Sequence, residues 1–408
     1  MTPPPLPRRT FLSAAATACG FAGTMAVGAT FYDPVTIRLA NGAQAAGSRL
    51  RVEGATLRLD DRSWPWGEVL DATVAGPVAA DLEPDGERGW VELTGGDRLF
   101  GTATAFDGDA IGLERPDGTA LSLPADRVRG VRFPGGGFET GALTKPHRLT
   151  LLRDRGADDL ALLRAGGRTG GELLGFDTAT VRLRTAAGEL TLPRAELAGL
   201  SLSPDLQTPP KTPDSFLTLL LADGSHLTAA ALTLDETGGT AVTPAGIEVP
   251  IAADAVRRIS VVSPRVREAG EPAATFAPGP AGSPPPVRDR TVTGRRAVAA
   301  DRPRPRGWGV WSGTTLTFPV PPDAAAFDVG FALTAAAGEL AECDVQIAVD
   351  GTTRQERSGL RTGKLVPLRI DVTNAERVAL TIAPGALGGV QDEAFWIAPR
   401  FVIQSDEP

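Results

Sequence analysis

The side chains that most often perform acid–base, nucleophilic or metal chemistry are scarce, because this 408-residue chain has only two His, two Cys and one Tyr. His147 and His226 lie far apart, and neither belongs to an H-E-x-x-H or H-x-E pattern that could hold zinc. Both are therefore predicted to be surface or turn residues. The sequence argues against many enzyme classes, and it indicates no metal and no cofactor.

Carboxylates are the remaining candidates for catalysis, because a glycoside hydrolase needs a paired acid and base in a cleft. Glu172, Asp177 and Glu189 stand in turn-like contexts, and nothing in the sequence pairs two of them. The chain also has no Gly-x-Ser-x-Gly elbow, Walker loop or dinucleotide fingerprint. Asp107 and Asp109 offer too few oxygens for calcium and are predicted to form a hairpin turn. We assign no catalytic residue and expect no enzyme.

The composition indicates a globular chain of two to four domains. A hydrophobic fraction of 42% and a charged fraction of 22% exclude a wholly disordered chain and a polytopic membrane protein. The formal net charge is -8, whereas a protein that neutralises phosphates usually carries a basic patch. Nucleic acid is therefore not an expected partner.

The first 29 residues have the three parts of an export signal. Arg8 and Arg9 precede Phe11 and Leu12, an apolar stretch follows, and small residues ending at Ala29 would suit a signal peptidase. The order Arg-Arg-x-Phe-Leu resembles the bacterial twin-arginine signal. A general secretory signal and an uncleaved membrane anchor are the alternatives. We expect an exported protein of the periplasm, the cell envelope or the medium.

The two cysteines have different predicted fates. Cys19 lies in Ala-Thr-Ala-Cys-Gly, which resembles a lipoprotein processing site and offers a lipid anchor as an alternative. If Cys19 leaves with the signal, Cys343 is the only thiol of the mature chain and no intramolecular disulfide can form. Cys343 stands in a strand-like run without a basic neighbour, which predicts a buried, unreactive thiol.

Four copies of one β unit follow the signal. The matching glycines Gly42, Gly96, Gly166 and Gly224 give spacings of 54, 70 and 58 residues. Short alternating runs separated by Asp-Gly and Asn-Gly predict four or five small antiparallel strands in each unit. The predicted bounds are 30–80 for a degenerate first copy, then 88–135, 148–203 and 214–262.

The order of turns in the best copy, Gly96 to Phe133, resembles the small Sm-like or SH3-like barrel. The resemblance implies tandem barrel repeats like those of planctomycete-type exported proteins. RNA binding is not carried over, because the repeats lack clustered basic and stacking aromatic residues. Binding of a protein or peptide partner by the repeats is the more limited inference. Neighbouring units that complete one another's sheets are the alternative to separate barrels.

A Pro- and Gly-rich stretch from 263 to 286 predicts a semi-rigid linker, and a different pattern follows from 287 to 404. Its motifs are the turn from Gly307 to Ser312, the run Val349-Asp-Gly, and Asp392 with Trp396. They resemble the NPCBM family, a carbohydrate-binding module noted beside glycoside hydrolases. The resemblance implies a galactose-binding-like β-sandwich of jelly-roll type. We therefore predict an all-β chain in which tandem small antiparallel barrels precede this sandwich.

Four residues of the C-terminal module are candidates for ligand binding: Trp308, Trp311, Asp392 and Trp396. An exposed Trp ring can stack on a sugar, and a carboxylate can orient sugar hydroxyls. Core packing is the alternative for Trp396, which lies in an apolar strand. The family's turn usually has His at the position of Trp311, so a module that has lost its ligand stays an alternative.

These observations predict an exported, non-catalytic protein whose C-terminal module binds carbohydrate or another cell-envelope component. The repeats would act as a scaffold or an interaction arm. A structural or assembly protein of the envelope without glycan binding is one alternative, and a glycoside hydrolase is another. A membrane is expected as a partner only through the signal or a lipid anchor at Cys19.

Overall fold

The computed structural model describes residues 34–78, 88–135, 155–276, 284–295, 297–299, 302–304, 306–386, 388–389 and 391–404. The residues of the predicted export signal lie outside these ranges, namely Arg8, Arg9, Phe11, Leu12, Cys19 and Ala29, and so does His147. In the described ranges the chain is built of β-strands with a few short 3-10 helices. No helix in these ranges has the length and apolar character needed to cross a membrane.

The four units share one order of elements. The first contains β1 (Val35–Leu39), β2 (Gln44–Gly47), β3 (Leu50–Glu53), β4 (Thr56–Leu59), β5 (Arg62–Pro65), the 3-10 helix Trp66–Glu68 and β6 (Val69–Val74). The second contains β7 (Trp90–Leu93), β8 (Arg98–Phe100), β9 (Thr102–Phe106), β10 (Ala110–Glu114), β11 (Ala120–Pro124), the 3-10 helix Ala125–Arg127 and β12 (Val128–Arg132).

The third and fourth units follow this order with two differences: one long strand takes the place of two in the third, and the fourth has no 3-10 helix among its described residues. The third contains β13 (Asp159–Leu163), β14 (Arg168–Phe176), β15 (Thr180–Thr185), β16 (Gly188–Pro193), the 3-10 helix Arg194–Glu196 and β17 (Leu197–Ser201), with a further 3-10 helix at Pro204–Leu206. The fourth contains β18 (Phe216–Leu221), β19 (His226–Ala229), β20 (Ala231–Asp235), β21 (Gly238–Val242), β22 (Glu248–Ile251) and β23 (Val256–Val262).

The same hairpin turn opens all four units, and it contains the glycines that define the repeat. Their φ angles are all positive, at 90°, 85°, 93° and 85° for Gly42, Gly96, Gly166 and Gly224. Each glycine amide donates to the carbonyl of the leucine three residues earlier, namely Leu39, Leu93, Leu163 and Leu221. A side chain is strained at such a φ, so the recurring glycine is explained by the turn. All four predicted units therefore share this turn.

The units pair in a nested order. The last strands of the second and third units, β12 and β17, run antiparallel with Val131 opposite Leu200, and β9 also pairs with β14. The first and fourth units pair in the same way, through β6 with β23 and through β3 with β20. A single pairing of β8 with β19 joins the two pairs of units.

Separate tandem barrels are therefore not confirmed, and the units instead complete one another's sheets. One sheet runs through all four units in the order β2-β1-β6-β23-β18-β19-β8-β7-β12-β17-β13-β14. The inward side chains of all four units form one continuous hydrophobic core. A unit this small exposes strand edges, and pairing with another unit covers those edges.

Two facing sheets follow the repeats. One has the order β26-β29-β36-β31-β34, with β24 also paired to β36, and the other has the order β25-β30-β35-β32-β33. Their strands are β24 (Val266–Glu268), β25 (Ala273–Phe276), β26 (Val287–Arg288), β29 (Gly307–Trp311), β30 (Thr314–Pro319), β31 (Ala324–Leu333), β32 (Cys343–Val349), β33 (Thr352–Leu360), β34 (Val366–Asp371), β35 (Arg377–Pro384) and β36 (Glu393–Ile403), and a small hairpin is formed by β27 (Val298–Ala299) and β28 (Arg302–Pro303). Phe318 of one sheet and Phe327 of the other have ring centroids 6.1 Å apart. The predicted all-β sandwich is confirmed.

The sandwich begins earlier than predicted. The stretch 263–286 has the composition of a linker, yet β24 pairs with β36 and β25 pairs with β30. Pro264 and Pro272 come just before these two strands, where a missing backbone amide removes no ladder hydrogen bond. Composition concealed the strands because their prolines flank the pairing segments instead of interrupting them.

A buried ion-pair network joins the sandwich to the first and fourth units. Asp71 of β6 is 2% exposed and accepts hydrogen bonds from Arg38 at 2.5 Å, from Arg258 at 3.2 Å and from Arg400 at 3.2 Å. Asp328 of the sandwich accepts from Arg38 and Arg400, both at 3.3 Å. Burial alone would raise the pKa of Asp71, but the surrounding guanidinium groups outweigh it and hold that pKa well below its usual range.

A second buried carboxylate, Asp97 in the hairpin turn between β7 and β8, has a shift of the opposite sign. The amide and the hydroxyl of Thr228 donate to its Oδ1 at 2.8 and 2.9 Å. Burial nevertheless raises the pKa of Asp97 to about 6, against the opposing charge of Arg306. The folded protein therefore binds a proton here that the unfolded chain releases near pH 4, and ionised Asp97 destabilises the fold at neutral pH.

Asp97→Asn is expected to stabilise the protein at pH 8 by about 1 to 3 kcal/mol, because it removes the buried charge and keeps an oxygen that Thr228 can reach. The gain should shrink as the pH falls from 6 and vanish near pH 4, where Asp97 is protonated in the wild type as well. Urea unfolding across this pH range measures the difference. Asp109→Asn, at an exposed turn, is the control; a loss of stability at pH 8 in Asp97→Asn alone would contradict the prediction.

Candidate functional site

Four loops of the sandwich meet at one end, which we call the loop end. They are the described residues of 312–313, 334–342, 361–365 and 385–392. The strand register brings them together: Trp311, the last residue of β29, lies opposite Glu393, the first of β36, and Leu333 lies opposite Ala394. In the other sheet, Cys343 is the common partner of the last residues of β33 and β35. The loop end thus combines residues from distant parts of the sequence.

Trp311 is the partly exposed aromatic residue of the loop end. Trp308 and Val310 belong to the sandwich core, so strand alternation places Trp311 on the opposite, outer face of β29. Glu393 lies beside it on β36, and its Oε1 accepts a hydrogen bond of 3.1 Å from the Thr334 hydroxyl. A flat ring therefore stands next to a carboxylate held in place from a neighbouring loop.

Asp392 is the buried acid of the loop end, with an exposure of 0%. Its Oδ1 accepts a hydrogen bond of 3.2 Å from the Glu342 amide, whereas its Oδ2 has no hydrogen-bond partner in the part of the chain that the structure describes. Burial raises the pKa of Asp392, and the Ser312 hydroxyl and the Glu342 amide oppose that effect. A buried carboxylate oxygen without a donor is costly, so Asp392 is the group here that a hydroxyl or a water would satisfy.

The other two predicted ligand-binding residues lie in the core. Trp396 is 0% exposed, and its ring centroid is 4.8 Å from that of Phe331. Trp308 is 7% exposed and lies opposite Trp396 in the strand register. Neither ring has a free face on which a sugar could stack. The structure therefore corrects the prediction for Trp308 and Trp396, and for Trp396 it supports the core-packing alternative.

Sequence reasoning missed two partners of the site, Glu342 and Arg361. The Arg361 guanidinium donates to Glu342 Oε2 at 2.5 and 2.9 Å, and this bond holds the pKa of Glu342 below its usual value. Leu340, in the same loop as Glu342, is 56% exposed. No local motif signals these residues, because Glu342 lies in the loop before β32 and Arg361 lies in the loop after β33, and the pairing of the two strands brings them together.

The carboxylates considered for catalysis do not form a cleft. Glu172 and Glu189 lie on either side of Arg184 in neighbouring strands, and Glu172 Oε2 accepts a hydrogen bond of 2.8 Å from Arg184 on an exposed surface. Asp177 accepts from the amides of Ala179 and Thr180, both at 2.7 Å, which lowers its pKa. Within the described ranges, no group of three His, Cys, Asp or Glu could hold a metal ion.

The structure bears on three further sequence predictions. Asp107 Oδ1 accepts from the amides of Asp109 and Ala110 at 3.0 and 2.9 Å, so the predicted hairpin turn is confirmed. Cys343 is buried as predicted, and burial raises the pKa of its thiol to about 12. The prediction of a surface position for His226 is wrong, because it is 9% exposed and its Nε2 lies 3.0 Å from the Gly96 carbonyl oxygen.

Comparison with known proteins agrees with the resemblance of the C-terminal module. Residues 275–402 match the family model of the NPCBM/NEW2 domain. This match begins before residue 287 and includes part of the segment predicted to be a linker. No curated protein matches the chain. The resemblance of the repeats to Sm-like barrels stays a prediction.

Among solved structures, the second CBM51 module of Clostridium perfringens ZmpB with its INT domains, in complex with GlcNAc, is 17% identical and has a TM-score of 0.31. That match covers 44% of this chain and 38% of the other, so the chain spans about two fifths of that structure's length. The CBM51 module of C. perfringens GH95, in complex with methyl-galactose, is 14% identical with a TM-score of 0.28 over 32% of this chain and 92% of that chain. An exo-β-1,3-galactanase of Phanerochaete chrysosporium is 12% identical with a TM-score of 0.22 over 75% and 69% of the two chains.

Proposed function

We propose that the loop end binds carbohydrate and that the protein acts by binding instead of catalysis. The observation that carries this proposal is that the loop end combines a partly exposed ring, Trp311, with a buried carboxylate, Asp392, whose Oδ2 has no hydrogen-bond partner among the described residues, inside a segment that matches the NPCBM/NEW2 domain. Ser312 connects the two, because it follows Trp311 in the chain and its hydroxyl favours the ionised form of Asp392. An aromatic ring can stack on the apolar face of a pyranose, and a carboxylate can accept hydrogen bonds from its hydroxyls.

The charge at the loop end favours a neutral sugar. Four acids, Glu339, Glu342, Asp392 and Glu393, lie there against two cations, Lys364 and Arg361, and Arg361 pairs with Glu342. Carboxylates accept hydrogen bonds from sugar hydroxyls and repel a uronic acid or a sulfated sugar. In this proposal the Trp311 ring stacks on the apolar face of a neutral pyranose while the acids accept hydrogen bonds from its hydroxyl groups.

The repeats serve as a scaffold in this proposal. The Asp71 network and the pairing of Arg290 with Glu92 bury charged groups between the repeats and the sandwich, which supports a fixed platform for the loop end. The expectation of export would place the glycan in the periplasm, the cell envelope or the medium.

Trp311→Ala is expected to weaken glycan binding at least about tenfold, because it removes the stacking surface. Retardation in native gels cast with a panel of neutral polysaccharides measures the effect on the whole chain. Trp64→Ala is the matched control, since Trp64 is another partly exposed Trp but lies on β5 in the repeats. Asp392→Asn should also weaken binding and should leave thermal stability unchanged or higher, because it removes a buried charge that lacks a full set of donors.

Equal retardation of wild type and Trp311→Ala would contradict the proposed site. If the folded wild type is retarded by none of the polysaccharides, the proposed function fails, and the structural or assembly role takes its place.

A further inference from the structure

A cleft of about 360 Å³ lies between the sheet of the first and fourth units and the sandwich. Five guanidinium groups line it, those of Arg38, Arg258, Arg302, Arg304 and Arg400. The carboxylates in its lining are Asp71 and Asp328. The lining therefore carries three positive charges that no carboxylate of the cleft neutralises.

The two carboxylates are already shared. Asp71 accepts from three of the arginines and Asp328 from two of the same three, Arg38 and Arg400. The Nε atoms of Arg258 and Arg400 are buried and have no acceptor among the residues that the structure describes. A smaller adjoining hollow adds Glu268, but Arg306 lies 3.9 Å from that carboxylate. The protein thus supplies fewer acceptors than these guanidinium groups can use.

Arg304 has the least compensation of the five. It is 5% exposed, and its one side-chain hydrogen bond among the described residues is from Nε to the Ala299 carbonyl at 3.3 Å. Burial, together with the charges of Arg258 and Arg302, lowers the pKa of Arg304 to about 9 against the opposing charge of Asp71. A buried guanidinium without an anionic partner is costly, and both Nη groups of Arg304 are left for another acceptor.

Arg302 provides a second unpaired guanidinium beside it. Its Nη2 donates to the Gly76 carbonyl at 3.1 Å, and no carboxylate of the described residues pairs with it. Residues 302 and 304 are two positions apart in an extended segment, so their side chains lie on the same side of it. Two neighbouring guanidinium forks match the geometry of a carboxylate, phosphate or sulfate group.

We propose that this cleft binds a small ligand with an oxyanion group, which Arg302 and Arg304 hold. The volume corresponds to about twelve water molecules at roughly 30 Å³ each, enough for a molecule the size of a sugar acid or a sugar phosphate. Leu365, Pro367 and Ile397 form an apolar wall for the ligand's carbon skeleton. The proposal goes beyond neutral-glycan binding at the loop end and does not depend on it.

The test is a titration of the full chain by isothermal calorimetry with phosphate, sulfate, glucuronate and glucose 6-phosphate, at constant ionic strength set with sodium chloride. At least one anion is expected to bind saturably. Glucose is the neutral control, and the arginine variants should not change whatever binding of glucose the wild type shows. Binding of inorganic phosphate or sulfate would show that the oxyanion suffices, whereas binding of glucuronate or glucose 6-phosphate alone would assign a sugar acid or a sugar phosphate. Failure of all four anions to bind would overturn the proposal.

Arg304→Gln is expected to weaken anion binding at least about tenfold and to raise the unfolding midpoint without ligand, because it removes an uncompensated buried charge. Arg302→Gln, at a less buried position, should weaken binding as well and provides a second test. Arg354→Gln, on the exposed face of β33, is the matched control and should bind like the wild type. Wild-type affinity in both cleft variants would overturn the proposal. Trp311→Ala should keep anion binding, so failure at the loop end is distinguishable from failure in the cleft.

Discussion

Asp71→Asn is expected to lower the free energy of unfolding by about 3 to 5 kcal/mol, because it leaves buried guanidinium groups without their shared carboxylate. Asp71 is the common acceptor of Arg38, Arg258 and Arg400, and Arg400 comes from the sandwich. The substitution should therefore weaken both the pairing of β6 with β23 and the packing of the sandwich on the repeats. Urea unfolding followed by circular dichroism measures the change.

Asp61→Asn is the control for this prediction, because Asp61 is an exposed acid of the same unit. Its effect should stay within about 0.5 kcal/mol, the usual range for a surface substitution. The Asp71 carboxylate has a lowered pKa in the folded state, so its contribution is present above the pKa of the unfolded chain and is lost only as the pH falls through the folded value. A loss below about 1 kcal/mol for Asp71→Asn at pH 7 would show that the arginines find other acceptors.

Trp396→Ala is expected to cost about 3 to 5 kcal/mol, because it opens a cavity in the middle of the sandwich core. The indole nitrogen of Trp396 has no hydrogen-bond partner within the described ranges, so the loss comes from packing against Phe331 and its neighbours. Thermal unfolding by circular dichroism is the measurement, since removal of a Trp changes the fluorescence itself.

Trp311→Ala supplies the contrast within the same sheet. It should cost less than about 1 kcal/mol, because its ring is partly exposed on the outer face. The two variants thus separate a Trp that holds the module together from a Trp that is available to a ligand. Equal stability losses in the two would contradict this assignment.

The fold could be predicted from the sequence to the level of its units but not of their pairing. The hairpin glycines and the alternating runs are local signals, and all four units have the turn they predict. Alternation indicates which face of a strand is buried, but it does not specify which distant strand lies at its edge. The pairing of β6 with β23, at opposite ends of the repeats, has no local signal.

The candidate site was predictable in part. Trp311 and Asp392 could be chosen from the sequence, because Trp311 lies beside a glycine turn and Asp392 lies at the end of a predicted strand. The structure brings their loops together. Glu342 and Arg361 are ordinary surface residues by sequence, and they become partners only through the order of strands in the sheet. The arginines of the cleft come from separate segments of both the repeats and the sandwich, which no motif could relate.

The nested pairing of units sets an order of assembly on the growing chain. The second and third units are neighbours in sequence and can close on each other early, whereas β3 and β6 of the first unit have to wait for the fourth. Roughly 140 residues separate β6 from the start of the fourth unit, which at ribosomal speed is a delay on the order of ten seconds. During that time two strand edges stand open, and open edges recruit other chains. Truncation after the third unit would make this exposure permanent, whereas removal of the first and fourth units together would keep the pairing of β12 with β17 but uncover β8, which pairs with β19.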